Sequence, residues 1–354
     1  MKFPDQFITA YDLQRDDFMR HKTTRERFKA TMSFEKTDRL PLIEWASWWD
    51  KTLNRWREEG LPLHLETDQD IMEYFGLDIH KQFWIPTLKG TCPWPEAHGG
   101  SILESITAKS YEKLKPHIFP QEGVDWFRDA IKCWAGKQRE QGVLIWLMLD
   151  GFFWFPRKIM GIENHLFAFY DEPELMHSIN RDLLRYNLDM LDAFCQICVP
   201  DFMAFAEDMS YNNGPMISED LFDEFIAPYY REFIKKTNAY GIDIVIDSDG
   251  DITKLIPWFE KLGITSFLPL ERQSGVDIAA LRKNHPNLCM IGGFDKIVMH
   301  LGEEAMRKEF ERLLPVMKQG GFIPSCDHQT PPQVSFTDYQ LYVALLREYC
   351  ANLD

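Results

Sequence analysis

Short apolar segments alternate with longer segments of helical spacing along most of this 354-residue chain, which predicts an α/β fold. Eight apolar segments can be counted, which is the number of strands in a closed (β/α)8 TIM barrel. No glycine- or serine-rich linker and no internal repeat divides the sequence. We therefore predict one TIM-barrel domain over residues 23–354, preceded by an N-terminal helical extension over residues 1–22.

Six of the eight predicted strands are each followed by a helix-like segment, at 143–149, 201–206, 243–247, 265–270, 288–293 and 321–325. The other two are RLPLIEWA at 39–46 and the less regular HKQFWIPTL at 80–88. Helices are predicted at 219–240, 252–262, 303–318 and 336–349, with Ser218 and Ser335 as helix-start signals. An open doubly wound sheet is the alternative, but the glycine-rich phosphate loop that usually accompanies it does not follow the first strand.

Charge and composition limit the classes of partner. Acidic residues outnumber basic residues, 55 against 39, and no Lys/Arg cluster is interleaved with aromatics, so nucleic acid is not expected to bind. The N-terminus carries charges throughout, unlike a secretory signal. The most apolar segment, 142–155, is interrupted by Asp150 and is too short to span a bilayer. We expect a cytoplasmic protein without a membrane partner that acts on a small molecule; a homodimer is compatible with the sequence.

The seven cysteines have no disulfide framework spacing. The one local pair, Cys195 and Cys198, would be either a redox or zinc pair or two small buried residues at the end of a helix. We favour packing, because no second pair or matching histidine completes a site.

Ionisable residues follow nearly every predicted strand, and the active sites of TIM barrels lie at the carboxyl ends of their strands. These residues are Glu44, Asp150, Glu207, Asp208, Asp247, Asp249, Glu271, Asp295, Cys326, Asp327 and His328. Any one of the carboxylates could instead cap a helix or face solvent. Together they would converge on one mouth, where like charges raise one another's pKa values unless a cation or a positively charged ligand is present.

Four segments resemble the uroporphyrinogen decarboxylase superfamily. FAEDMSYNNGPMISEDLFDEFIAPYYREFI at 205–234 is similar to that family's pattern of an acidic residue after a strand, a glycine, a helix-opening serine, and then Phe, Phe, Pro and Tyr at helical spacing. The other segments are IGGFDK at 291–296, GGFIPSCDHQTPP at 320–332 and TTRERFKATMSFEKTDRLPL at 23–42. The resemblance implies a TIM barrel. It also implies one of two activities: cofactor-free decarboxylation of uroporphyrinogen, or zinc-dependent methyl transfer between substrates, corrinoid proteins and thiols.

The decarboxylase branch has an Arg-Gln-Ala-Gly-Arg loop after the first strand, where this chain has EWASWWDKTLNRW. Glu44 and tryptophans replace its arginines, so a polyanionic tetrapyrrole would lose its main counter-charges. Two matches remain, because His328 aligns with the family's late Gly-His-Gly histidine and Asp208 with a carboxylate after the corresponding strand. Arg39 and Arg157 are the candidates to replace the missing arginines.

The methyltransferase branch has a His-x-Cys-Gly motif and a lone Cys before Thr-Pro. This chain has Asp-Ser-Asp-Gly at 247–250 in place of the first and Cys326 in place of the second. The resemblance thus implies a site for a divalent metal such as zinc at Asp249, Cys326 and His328, unless the aspartates merely cap the following helix. A second possible ligand set is Glu44, Glu59 and His80, which have the Glu-x14-Glu-x20-His spacing of some ether-cleaving methyltransferases.

We predict an enzyme of this superfamily that transfers methyl groups to or from a corrinoid protein or a thiol, the corrinoid being supplied by the partner protein. The expected catalytic residues are His328, Asp208, Glu207, Asp247, Glu271 and Glu44. One alternative is a decarboxylase (a lyase) acting on a tetrapyrrole or a smaller carboxylate, and another is a non-catalytic barrel that binds a corrinoid or a partner. The aromatic segment 151–161 either lines an apolar ligand pocket or packs on itself.

Overall fold

The computed structural model describes residues 22–95 and 99–353. Seven parallel strands form one curled sheet in the order β1-β2-β3-β6-β7-β8-β9, and β4 and β5 form a separate antiparallel hairpin. The strands are β1 (His80–Trp84), β2 (Leu144–Asp150), β3 (Phe202–Ala206), β4 (Ser210–Tyr211), β5 (Gly214–Pro215), β6 (Asp243–Asp247), β7 (Ser266–Leu268), β8 (Cys289–Phe294) and β9 (Phe322–Cys326).

Helices surround this sheet and cover its outer face. They are α1 (Thr24–Met32), α2 (Asp50–Glu59), α3 (Asp68–Phe75), α4 (Ala108–Leu114), α5 (Arg128–Gln141), α6 (Trp154–Met160), α7 (Ile162–Asp171), α8 (Pro173–Cys195), α9 (Glu219–Phe225), α10 (Ala227–Tyr240), α11 (Ile256–Glu260), α12 (Ile278–Asn284), α13 (Glu303–Met317) and α14 (Phe336–Ala351). Short 3-10 helices occur at Lys115–His117, Asp125–Phe127, Arg272–Ser274 and Lys296–Leu301. The predicted N-terminal extension lies outside the described residues apart from its last residue.

The predicted strand at 39–46 is not a strand of the sheet, although it occupies the eighth position. Trp45 contacts the end of β9, since its backbone N lies 3.4 Å from Ser325 Oγ and its indole Nε1 donates to the carbonyl of Cys326 at 2.7 Å. On the other side, just before β1, the Asp78 N–H donates to the carbonyl of Leu42 at 2.9 Å. Pro41 lacks the N–H that a regular ladder needs. An extended segment therefore completes the TIM-like barrel between β9 and β1.

The interior of the barrel is filled by side chains, and α1 closes its amino-terminal end. Phe28 of α1 stacks on Phe202 at 5.0 Å, and Phe202 stacks on Trp146 at 5.1 Å between ring centroids. Strands β2, β3 and β9 are buried along their whole length, as expected for parallel strands covered on both faces. Trp45 and Trp154 pack on this interior cluster and remain partly exposed.

The other strands lie where the sequence predicts them, but two predicted helices differ. The helix predicted at 219–240 is divided into α9 and α10, because Pro228 has no N–H for a continuous helix and Ile226 is non-helical at φ −123°. The helix predicted at 252–262 is reduced to α11, which also has a proline in its first turn. The two predicted caps are confirmed: Ser218 Oγ accepts the Leu221 N–H and Ser335 Oγ accepts the Asp338 N–H.

The cysteine pair lies at the end of α8, and all seven cysteines are free thiols. Cys198 is buried and its Sγ lies 3.6 Å from Gln138 Oε1. Burial raises the pKa of Cys195 to about 12 and that of Cys198 to about 11. The burial of Cys198, its contact with Gln138 and the raised thiol pKa values favour a packing role for the pair over a redox role. Within the described part of the chain, no helix is long and apolar enough to cross a bilayer.

Candidate active site

The register of β3 and β6 brings three acidic residues together at the mouth of the barrel. Ala206 pairs with Asp247 in the parallel ladder, so Glu207 and Asp208 follow directly beside the end of β6. The backbone N–H groups of Glu207 and Asp208 both point to the carbonyl of Asp247, at 2.8 and 3.4 Å. Asp208 has a positive φ of 38°, which turns the chain at this point.

Asp249 links this pair to the last strand of the barrel. Its backbone N–H donates to Asp208 Oδ1 at 3.2 Å, and its Oδ2 lies 3.6 Å from Nε2 of His328. The contact with Asp249 raises the pKa of His328 above its ordinary value, although burial opposes the rise. The structure therefore brings Asp208, Asp247, Asp249 and His328 into one group, which we call the open cluster.

The open cluster has strongly perturbed carboxyl groups. Burial, followed by the charge of Asp249, raises the pKa of Asp208 to about 6. Burial and the charges of Asp208 and Asp249 raise the pKa of Asp247 well above the ordinary value of an aspartate. No hydrogen bond reaches the Asp247 carboxylate from any residue that the structure describes. Asp208 and Asp247 therefore retain a proton more readily than isolated aspartates.

Lys296, which follows β8, neutralises two further acidic residues of the mouth. Its Nζ lies 3.4 Å from Glu271 Oε1 and 3.5 Å from Asp327 Oδ1. Glu271 also accepts the Gly250 N–H, and Asp327 accepts the backbone N–H groups of Arg272 and Lys296. Lys296 is not among the residues predicted from the sequence; its position two residues after the end of β8 is the signal that could have identified it.

Two predicted catalytic residues, Glu207 and Glu44, are buried and hydrogen-bonded inside the protein. Glu207 accepts the backbone N–H groups of residues 152–154 at 2.8 to 3.1 Å and the hydroxyl of Tyr230 at 2.5 Å. Glu44 accepts the hydroxyls of Tyr342 at 2.6 Å and Ser325 at 3.3 Å. Burial raises the pKa of each to about 7, and these donors oppose the rise.

Two further strand-end carboxylates also have partners in the protein. Asp150 accepts hydrogen bonds from Thr87, from Trp84 Nε1 at 3.2 Å and from Lys158 Nζ at 3.0 Å. Asp295 caps the following 3-10 helix by accepting the Ile297 N–H at 2.9 Å. With Glu44 and Glu207, these residues have the contacts of structural anchors.

The metal ligands predicted from the sequence do not fit a metal ion in this structure. No group of three His, Cys, Asp or Glu side chains within residues 22–95 and 99–353 is placed to hold one. Cys326 is 1% exposed, and burial together with the nearby charges of Glu44 and Asp327 raises the pKa of its thiol well above normal.

The second predicted ligand set is engaged elsewhere. Glu59 pairs with Arg55 and accepts the Phe336 N–H, at 2.6 Å in both cases. His80 Nε2 contacts the carbonyl of Glu44 at 2.8 Å, while its Nδ1 accepts the indole N–H of Trp146 at 3.2 Å. Both ring nitrogens of His80 are thus used inside the barrel.

The aromatic segment 151–161 packs on the barrel and its helices, since Phe152, Phe153 and Phe155 are fully buried. Trp154 and Arg157 remain partly exposed at the mouth. The Arg157 guanidinium carbon lies 5.1 Å from the centre of the Trp154 ring, and its Nη1 donates to the carbonyl of Asp208 at 2.7 Å. Arg39 is the first residue of the extended segment and pairs with Asp78 at 2.7 Å, so its guanidinium is not available to replace an arginine at the mouth.

The family model for uroporphyrinogen decarboxylase (URO-D) matches residues 91–349. The chain belongs to the URO-D family. No curated protein sequence matches it significantly. A methyltransferase from Methanosarcina mazei is similar in structure, with a TM-score of 0.63 and 13% identity over 93% of this chain and 99% of that chain, which shows a shared fold. A 3-keto-D-glucoside 4-epimerase from E. coli matches 76% of this chain and all of its own, but at a TM-score of 0.39 and 12% identity it carries no argument.

Proposed function

We propose that this URO-D family protein is a methyltransferase that moves a methyl group from a small molecule to a corrinoid protein or a thiol. The observation that carries the proposal is that the carboxyl groups of the open cluster make it negatively charged. The substrate of a decarboxylase brings a carboxylate to the reacting centre, and here that group would approach the carboxylates of Asp208 and Asp249. Like charges at short range in a partly buried site oppose such binding. Methyl donors that are neutral or cationic meet no such barrier.

The structural neighbour agrees with this choice, because the Methanosarcina protein is named a methyltransferase. At 13% identity it supports the proposal without identifying the reaction.

In the proposed reaction, Asp208 and Asp247 hold the donor at the carboxyl ends of β3 and β6. His328, oriented by Asp249 at 3.6 Å, carries a proton to or from the reacting groups. The bond between the methyl carbon and the donor atom breaks with its electron pair remaining on the donor atom. A corrinoid or a thiolate supplies the electron pair that forms the new bond, and it would reach the mouth from solvent. No step is assigned to a metal held by this chain.

Decarboxylation is the second candidate, and one observation favours it. Asp208, with its pKa near 6, is positioned to donate a proton to a carbon that has lost carbon dioxide, while Arg157 and Lys296 are the cations at the mouth. In this reaction the substrate carboxylate would have to bind beside those cations and away from Asp247.

The test is a direct assay of the purified protein. Candidate methyl donors are incubated with cobalamin in its reduced form or with a thiol, and the methylated acceptor is detected by mass spectrometry. Carbon dioxide release from small carboxylates and conversion of uroporphyrinogen are measured in parallel. We expect methyl transfer and no useful conversion of uroporphyrinogen to coproporphyrinogen; efficient conversion would refute the proposal. A protein that turns over nothing but co-purifies with a corrinoid protein would be the non-catalytic barrel.

A further inference from the structure

Lys296 connects the end of its own strand to the ends of both neighbouring strands. Its ammonium group lies 3.4 Å from Glu271, which follows β7, and 3.5 Å from Asp327, which follows β9. Asp327 directly precedes His328 in the sequence. One side chain therefore joins the loops after three consecutive strands of the barrel, and one of these loops carries the imidazole of the open cluster.

Glu271 extends this connection to the loop after β6. Its Oε2 accepts the Gly250 N–H at 3.0 Å, and Gly250 directly follows Asp249. Gly250 also packs against the β4 strand of the hairpin, where an added Cβ would lie 2.7 Å from the carbonyl carbon of Ser210. The backbone beside Asp249 is thus held by the hairpin and by Glu271.

Asp327 makes the corresponding contacts beside His328. Its side chain is fully buried and accepts the backbone N–H groups of Arg272 at 2.9 Å and of Lys296 at 3.1 Å. Among the described residues, Lys296 is the one cation within ion-pair distance of Asp327. Without the ammonium group, the carboxyl groups of Asp327 and Glu271 either repel each other or one of them is protonated. In both cases the ion pairs that join the loops are lost.

These contacts act on the two members of the Asp249–His328 pair. Asp249 Oδ2 and His328 Nε2 are 3.6 Å apart, which is longer than an ordinary hydrogen bond, so a small displacement of either loop separates them. We propose that Lys296 is a positioning residue, which keeps this pair together through Glu271 and Asp327 and does not itself touch the substrate. The inference rests on the proposed function only for the role of His328 as the proton carrier.

The first test is the steady-state kinetics of three variants, with the substrate identified in the assay described under the proposed function. Lys296→Met keeps most of the side-chain volume and removes the charge. Because the pair acts in the chemical step, we expect kcat to fall at least about tenfold while KM changes by less than about threefold. Lys296→Arg keeps the charge and should recover most of the lost rate. Glu271→Gln removes the charge at the other end of the ion pair, keeps an oxygen for the Gly250 N–H and should lower kcat in the same way, also where Lys296→Met does not fold.

The matched control is Lys158→Met. Lys158 is also partly buried, and its polar contacts within the described residues are Thr87 and the fully buried Asp150 after β2. This variant should have a lower melting temperature and the kcat of the wild type. Hydrogen exchange measured by mass spectrometry reports the positioning without a substrate. The amides of residues 248–252 and 326–330 should exchange faster in Lys296→Met than in the wild type, and not in Lys158→Met.

A rise in KM at unchanged kcat in Lys296→Met would show that Lys296 binds the substrate, and unchanged exchange at both segments would show that it does not hold the loops. Either result overturns the inference, as would an equal loss of kcat in Lys158→Met. The exchange measurement also separates the inference from the proposed function. Methyl transfer with unchanged exchange would keep the methyltransferase and discard the positioning role. Faster exchange at both segments, with no methyl transfer from any donor, would keep the positioning role and discard the methyltransferase.

Discussion

Glu207 and Asp247 stand at the ends of neighbouring strands, β3 and β6, yet their carboxylates are in opposite situations. Glu207 accepts four hydrogen bonds, three of them from the backbone at the start of α6. Asp247 accepts none from the described residues and faces the charges of Asp208 and Asp249. A buried carboxylate with a full set of donors holds two segments together, whereas one without donors is a site at which a ligand or a proton can be bound.

Replacing the anchoring carboxylate should have the largest effect on stability. Glu207→Gln replaces one carboxylate oxygen by an NH2 group. In the better orientation this group faces the Tyr230 hydroxyl and leaves the Phe152 N–H without an acceptor. At 1 to 3 kcal/mol for a buried unsatisfied donor, the free energy of unfolding should fall by about 2 kcal/mol. Urea unfolding measures the change. Asp208→Asn, one residue further along, is the control: asparagine tolerates the positive φ, and stability should not fall. Equal losses in both variants would contradict the division into anchors and open cluster.

Removing the imidazole of the open cluster should affect turnover and leave the fold intact. For His328→Ala we expect a loss of roughly 100-fold or more in rate, the scale of a proton-transfer residue. Little change in melting temperature is expected, because the side chain is partly exposed at the mouth and removing it opens no core cavity. The measurement is kcat of His328→Ala and of the wild type, with the methyl donor identified in the assay described under the proposed function. A lower melting temperature with full turnover would mean that His328 only holds its loop.

Asp247→Asn should change the free energy of unfolding in the opposite direction to Glu207→Gln. Because the neutral amide removes the cost of protonating the Asp247 carboxyl group on folding, which burial and the charges of Asp208 and Asp249 impose, the free energy of unfolding should rise by about 1 kcal/mol. Methyl transfer should fall at the same time, which is the stability–activity trade-off expected of a binding carboxylate. A variant that loses stability would show that Asp247 is an anchor after all.

Cys326→Ser tests the metal hypothesis within the same comparison. The buried thiol sits beside Glu44 and Asp327, and its replacement by a more polar hydroxyl should lower the free energy of unfolding by about 1 kcal/mol. Because no described ligand group is present, metal content by elemental analysis should be the same in both proteins. One equivalent of zinc in the wild type that disappears in the variant would restore the ligand set of Asp249, Cys326 and His328.

The sequence predicts the strands well because buried parallel strands are continuous apolar runs that end at polar residues. The prediction of a regular strand fails at 39–46, because Pro41 has no N–H for a ladder and Trp45 is held by Ser325 and Cys326 instead. The prediction of one helix fails at 219–240, because Pro228 divides it. The same rule locates the acidic residues at the mouth. It cannot tell anchors from open carboxylates, because the donors come from distant positions: Tyr342 is 298 residues from Glu44. The sequence likewise does not show that Lys296 neutralises Glu271 and Asp327, because these residues are 25 and 31 positions away from it.

His165 sharpens the comparison, because it lacks hydrogen-bond partners as Asp247 does but lies in the helical layer. Both of its ring nitrogens are buried and unpartnered among the described residues, and its ring packs on Phe153 at 4.6 Å and Phe169 at 4.9 Å. Burial, helped slightly by Arg157, lowers the pKa of His165 from 6.5 to about 3. The folded state therefore keeps the ring neutral while the unfolded chain takes up a proton below its own pKa.

Since the unfolded state binds the extra proton, stability from this residue is present above pH 6.5 and is lost as the pH falls toward 3. Between pH 6.5 and 5.5 the loss should amount to about 1 kcal/mol. His165→Phe keeps an aromatic ring against Phe153 and should flatten the pH dependence of the free energy of unfolding by that amount, with turnover unchanged. His64→Gln, which removes an exposed histidine, is the control and should leave the pH profile as in the wild type. His165→Phe could instead abolish turnover and leave the pH dependence of the free energy of unfolding unaltered. In that case a buried side chain without hydrogen-bond partners would indicate function in the helical layer as well as at the mouth.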